Sequence, residues 1–294
     1  MLTFHKAVPV CALIALGACD ETTPMALIAP ISAAGFASQA ATGSDLDAYV
    51  VRDAMRITGI NGELDLTRDD SIQFTGVTSV SDIGVVIDGE TYVLERSNSN
   101  PSFASFEDGD DIVIVSTLIG GEANAIALEV FSVIEGRLNA GNLIVGFDTD
   151  PTFVANSTDL AQYQGAVEFT LRNGFNDAFG SGNFMLDVNF ADETVDGAAQ
   201  LFDDNNPNSE FDFDPATILL ETSTIAGNGF AGNISLLIGD IGGTLTEGGY
   251  EGRFFGPETD TIGGQFFGRI DVEGSETDTL LEGVFLGPQV DAND

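Results

Sequence analysis

Residues 248–270 read GGYEGRFFGPETDTIGGQFFGRI, and this run sets how the segments around it are interpreted. Tyr250, Gly252 and Phe254 alternate with Glu251, Arg253 and Phe255. Past a Gly-Pro-marked loop, Ile262, Gly264, Phe266, Gly268 and Ile270 alternate with Gly263, Gln265, Phe267 and Arg269. Period two is the signature of a strand with one face in the core. Glycine weakens a strand, so glycine recurring on the inward face predicts sharp backbone bending or close approach of another segment. A barrel wall imposes both.

Working upstream, the same alternation recurs. Tyr163, Gly165, Val167, Phe169 and Leu171 take one face, with Gln164, Glu168, Thr170 and Arg172 on the other. After Asn173-Gly174, Phe184, Leu186, Val188 and Phe190 oppose Asp187 and Asn189. Val195 to Phe202, Thr217 to Ile225, Phe230 to Leu237, Gly243 to Phe255, Ile262 to Ile270 and Leu280 to Leu286 complete a set of eight strands. The expected fold is all-β: an eight-stranded antiparallel up-and-down barrel, filled by its own side chains and without open edges. Polar outer faces lack the apolar band of a membrane-spanning barrel.

Gly252-x-Phe254-Phe255-Gly256-Pro257, followed by Gly263-Gly264-x-Phe266, resembles the C-terminal barrel signature of bacterial surface lipoproteins of the transferrin-binding protein B type, roughly G-x-F-Y-G-P-x-A-x-E-x-G-G. Phe255 stands where Tyr is usual, Thr259 where Ala is usual, and Thr261 where Glu is usual. The resemblance covers about Tyr163 to Gln289. It implies a barrel preceded by a smaller, handle-like β-rich domain, and a non-enzymatic protein that binds proteins or iron-carrying ligands at the cell surface. It does not name the ligand, which variable loops choose.

The region preceding the barrel has strand signals of its own. Ile83 to Ile87 and Thr91 to Leu94 flank Asp88-Gly89, a pair suited to a tight hairpin turn. Asp111 to Leu118 and Asn142 to Phe147 are further strand-like runs. Ala123 to Ile134 is read as a strand, although its Ala-Leu-Glu content permits a helix, and Asp45 to Arg56 suits either. Asp148-Thr149-Asp150-Pro151 punctuates the chain, giving a handle-like domain over 45–150 and a barrel domain over 151–294.

The N-terminus reads as a secretory leader. One lysine, Lys6, precedes an apolar stretch from Ala7 to Leu16, too short to span a bilayer, and Leu16-Gly17-Ala18-Cys19 resembles a lipobox. The resemblance implies a signal peptide over 1–18 and lipid attachment at Cys19; the alternative is an ordinary cleaved leader. Residues 19–44, rich in Ala, Ser, Thr and Pro, suit a flexible tether. A terminal strand is the competing reading of Met25 to Ile31. Asp20 resembles the residue that retains lipoproteins in the inner membrane of enteric bacteria, whereas the barrel family implies the outer membrane, lipid-anchored, at the cell surface or on the periplasmic face.

Nine basic residues against 47 acidic ones give a formal net charge of −38. Such a surface has no cationic patch to replace phosphate counterions, which excludes nucleic acid and anionic headgroups as partners and leaves the lipid as the only membrane contact. The acidity suits a surface adapted to salt; capture of cations or of a basic partner is the functional alternative. Cys11 and His5 leave with the leader and Cys19 carries lipid, so neither thiol nor imidazole remains for a triad, an ordinary zinc site or haem ligation by His. No cofactor, metal site or catalytic residue is expected.

Three motifs nonetheless invite a functional reading. Gly227-x-Gly229-x-x-Gly232 matches a dinucleotide fingerprint, but a strand-like run follows where a helix is needed, so it is read as a hairpin turn. Asp203 to Asp214 and Asp108 to Asp111 offer oxygen ligands without EF-hand spacing and are read as solvated loops, the longer one also as a partner-binding loop. Tyr49, Tyr92, Tyr163 and Tyr250 are conceivable haem ligands, but Tyr163 and Tyr250 fall in inward sets. A secreted, salt-adapted hydrolase using carboxylates, or a calcium-binding protein, is the alternative to the binding module.

Overall fold

The computed structural model describes residues 49–53, 56–60, 63–65, 71–74, 85–87, 92–100, 102–122, 124–134, 137–173, 176–203, 215–239, 243–272 and 279–290. Residues 1–48, where a leader and a tether are expected, and the acidic stretch 204–214 lie outside the described residues.

The N-terminal part contributes β1 (Tyr49–Asp53), β2 (Arg56–Ile60), β3 (Glu63–Asp65), β4 (Ser71–Phe74), β5 (Val85–Ile87), β6 (Tyr92–Asn100), β7 (Phe103–Asp108), β8 (Asp111–Glu122), β9 (Ala125–Ile134) and β10 (Arg137–Gly146). They form one sheet in the order β1-β2-β10-β9-β8-β7-β6-β5-β4-β3. Only β2 and β10 pair in parallel among the described strands; the other ladders are antiparallel. The ambiguous Ala123 to Ile134 run is a strand, because β9 pairs with β8 on one side and β10 on the other. Ile87 pairs with Tyr92 and Val86 with Val93, as the expected hairpin requires, while its turn, 88–91, lies outside the described residues.

A six-residue helix, α1 (Pro151–Asn156), links sheet to barrel. Asp150 caps it, its carboxylate accepting from the Thr152 amide at 2.7 Å, and Pro151 occupies the first turn, where no amide donor is missed. The Asp-x-Asp-Pro punctuation seen in the sequence is thus a helix start.

The second part comprises β11 (Leu160–Asn173), β12 (Asn176–Asn189), β13 (Thr194–Asp203), β14 (Ala216–Ala226), β15 (Gly229–Ile238), β16 (Thr244–Phe255), β17 (Thr261–Asp271) and β18 (Thr279–Val290). They close into a barrel in sequence order, and β18 returns to pair with β11. All eight expected strands are present. Inward residues fill the interior, Tyr163, Phe184, Phe230, Tyr250, Phe254 and Phe266 among them, each at most 3% exposed. Phe254 sits at the centre of a ring cluster, 5.4 Å from Phe190, 5.6 Å from Phe230 and 6.1 Å from Tyr163. Phe184 and Phe285 pack at 5.0 Å. Tilted rings at these separations add to the burial of apolar area.

The inward glycines make room for these rings. A Cβ at Gly252 would run into Phe230, one at Gly264 into Phe285, and one at Gly283 into Phe266. Large and small residues thus alternate across neighbouring strands, and the rings pack into the barrel interior.

Outward residues on one wall are buried as well. Phe255, Val284 and Leu286 point away from the barrel interior but pack against Ile119, Ala125, Ala127 and Ile144 of β8, β9 and β10. The sheet lies against β18 and β11, with Phe255 at the end of β16.

Candidate functional site

The sheet and the barrel are stitched together at the Gly-Pro loop after β16. The Phe147 amide donates to the Asn124 carbonyl (2.9 Å), the Thr149 amide to the Phe254 carbonyl (3.0 Å), and the Gly256 amide to the Phe147 carbonyl (2.8 Å). Thr149 Oγ1 donates to the Gly256 carbonyl at 2.6 Å. Gly256 has φ 91° and packs so tightly against Asn124 that a Cβ would lie 2.6 Å from its Nδ2. Only glycine meets both demands. From the barrel side, Tyr163 Oη donates to the Thr259 carbonyl (2.8 Å) and the Gln289 amide to the Asp260 carbonyl (2.8 Å). The loop is held from both sides, and Thr259 stays in the left-handed region at φ 62°.

Two ionisable residues on the outer face of β16 are buried here. Arg253 Nη1 meets Asp148 Oδ2 at 2.9 Å, with the arginine side chain 4% exposed. The ion pair joins the end of the sheet region to the barrel wall. One position pair away, Glu251 faces outward from β16 but is 1% exposed. Gln265, opposite it on β17, donates through Nε2 to Glu251 Oε1. Glu251 Oε2 and Gln265 Oε1 are buried without a hydrogen-bond partner. Burial pushes the Glu251 carboxyl up to about 8, outweighing the lowering by the Gln265 hydrogen bond and by the Arg253 charge. Glu251 is therefore largely protonated at neutral pH. It carries no negative charge that would attract a cation.

The residues singled out in the sequence are dispersed. Tyr163 and Tyr250 are core residues whose hydroxyls are engaged, Tyr250 Oη donating to the Glu221 carbonyl at 2.6 Å beside Ser223 Oγ. Burial raises both phenols to about 12. Neither reaches a site where it would ligate iron. Tyr49 and Tyr92 lie on β1 and β6. Asp108 to Asp111 form the exposed turn between β7 and β8, with Gly109 at φ 62°. Gly227 and Asn228 join β14 to β15, Ala226 pairing with Gly229, so the G-x-G-x-x-G run is a hairpin. No group of ligating side chains suited to a metal occurs among the described residues. Cys19 and the loop 204–214 lie outside the described residues. Glu251 and Arg253 were missed as buried residues, since their outward phase reads as solvent-facing.

A filled, closed, eight-stranded antiparallel barrel with a β-sheet laid against its outer wall defines a handle-and-barrel lobe. Its barrel is transferrin-binding-protein-B-like: residues 155–289 match the family model described as the C-lobe and N-lobe β-barrels of Tf-binding protein B. The double mutant of transferrin-binding protein B from Haemophilus parasuis Hp5 aligns over 81% of this chain and 46% of its own, at 18% identity and a TM-score of 0.50. Intact Ap-TbpB, with N and C lobes, aligns over 77% of this chain and 45% of its own, at 20% identity and 0.47. The isotype 1 protein from serogroup B Neisseria meningitidis aligns over 75% and 41%, at 18% and 0.46. The chain spans less than half the length of these structures, and at such identities the likeness is one of fold. A search of curated proteins finds no match.

Proposed function

We propose that this chain is a lipid-anchored, non-enzymatic binding protein of the bacterial envelope, attached through Cys19 and presenting its barrel to a protein or iron-carrier ligand. The observation that carries the reading is the barrel itself, which matches the barrels of Tf-binding protein B and is filled by its own side chains. A filled interior leaves the outer walls and loops as the recognition surface. The Glu251 carboxyl is buried on the outer face of β16, a poor location for a hydrolytic acid or base. In this reading residues 1–18 are the leader, 19–44 the tether, 45–150 the handle and 151–294 the barrel, located at the outer membrane.

Protease shaving of intact cells, with peptides followed by mass spectrometry, tests it. Barrel peptides are expected in the released fraction, and a Cys19→Ala variant is expected to be lost to the medium. Protection until the outer membrane is opened would overturn surface display in favour of a periplasmic carrier.

A further inference from the structure

Among the described residues, three large apolar side chains are exposed on the outer wall of β12 and β13, with Ser181, Asn183 and Gln200 between them on the same face. On β12, Phe184, Leu186 and Val188 point inward, so Phe179 and Met185 point out. On β13, Ala199 and Leu201 point inward and Phe202 points out. Phe179, Met185 and Phe202 are 44%, 43% and 38% exposed. Phe202 stands opposite Ser181, two residues along the same face from Phe179, which makes the two rings diagonal neighbours. Met185 lies further along this wall, opposite Ala198. Scattered exposed apolar residues are ordinary, but neighbouring aromatic rings on one wall form a patch. The sheet packs elsewhere, against Phe255, Val284 and Leu286.

The charge around the patch restricts what can cover it. β12 and β13 themselves carry Asp177, Asp187, Asp196 and Asp203 and no Lys, Arg or His. A second copy of the chain, with the same −38 formal charge, is repelled, as are nucleic acid and anionic lipid. A cationic surface is attracted, and Arg or Lys side chains also stack on aromatic faces.

We infer that the outer wall of β12 and β13 is a docking surface for a cationic protein surface with an apolar centre, seated on Phe179, Phe202 and Met185. This rests on the binding-protein reading above and adds the location and chemistry of the contact.

The test uses the purified mature chain and two synthetic peptides of equal positive charge, one an amphipathic Leu–Lys helix and the other a Gly–Lys repeat. The Leu–Lys peptide is expected to bind and to slow amide exchange on β12 and β13. Phe179→Ser/Phe202→Ser is expected to weaken it by about tenfold or more, as loss of central aromatic anchors does, with the melting temperature unchanged. Gly–Lys binding is expected to be weaker and indifferent to the substitution. Equal Leu–Lys affinity in the double variant, or protection on another wall, would overturn the inference. Self-association abolished by the same substitution would also overturn it, assigning the patch to a second copy. Because no cells are involved, failure here leaves the anchored binding-protein reading intact, and failure of the shaving experiment leaves this result intact.

Discussion

Glu251 holds a proton that the same residue in an unfolded chain gives up. Its carboxyl sits at about 8 in the folded protein against an ordinary 4.5, because burial outweighs the Gln265 and Arg253 contributions. A raised carboxyl favours folding where both states are protonated, so its contribution is full below about 4.5 and is lost as pH rises through about 8. Between pH 5 and 9 the wild-type protein should lose stability, by an amount on the order of a few kcal/mol from this group. Repulsion among the many surface carboxylates slopes the same way, so the informative quantity is the difference between the wild type and Glu251→Gln. That variant should have the flatter pH profile of melting temperature and be the more stable of the two at pH 9; identical slopes would remove Glu251 from the account. Arg253 poses the opposite problem, a charge that stays buried when the Asp148 carboxylate goes. Asp148→Ala should therefore cost about 3 kcal/mol in denaturant unfolding. Asp148→Ala combined with Arg253→Met should recover part of the loss, whereas additive losses would show the pair to be uncoupled.

At the level of single strands, the inward glycines of β16, β17 and β18 are paired with particular rings. Gly252→Ala drives a methyl into Phe230 and to 2.9 Å from the Gly263 carbonyl, and should destabilise by about 2 kcal/mol. Phe230→Leu in the same chain should return part of it, because the obstruction is the ring; a full, additive loss would place the strain in the backbone instead. The eight barrel strands were legible in the sequence because each alternates apolar and polar residues over many positions, and the phase of that alternation identified Tyr163, Tyr250 and Phe254 as inward. Burial of the outer faces was not legible. Period two separates the faces of a strand, but it does not say whether a second layer covers the outer face, so Glu251, Arg253 and Phe255 read as solvent-facing. The α1 helix escaped notice for a different reason: six residues are too few to show a helical period, and only Asp150-Pro151 marked its start.

Across the whole molecule, the formal charge of −38 is spread over a fold whose stabilising contacts are mostly apolar. The Arg253–Asp148 pair is nearly buried, so salt screens it little, while the exposed carboxylates of the hairpin turns and the β12 to β15 wall repel one another through solvent. The range of that repulsion falls from about 30 Å at 0.01 M salt to about 3 Å at 1 M. Raising sodium or potassium chloride over this interval should therefore raise the melting temperature by several degrees, equally for the two cations, since screening does not depend on which monovalent ion supplies it. Calcium distinguishes this from a specific site. If the acidity is a solvated surface, calcium at micromolar concentration in low monovalent salt should leave the melting temperature unchanged. If instead micromolar calcium stabilises the fold and molar monovalent salt does not, oxygen ligands are converging on an ion, and the calcium-binding alternative becomes the better reading of the acidic residues.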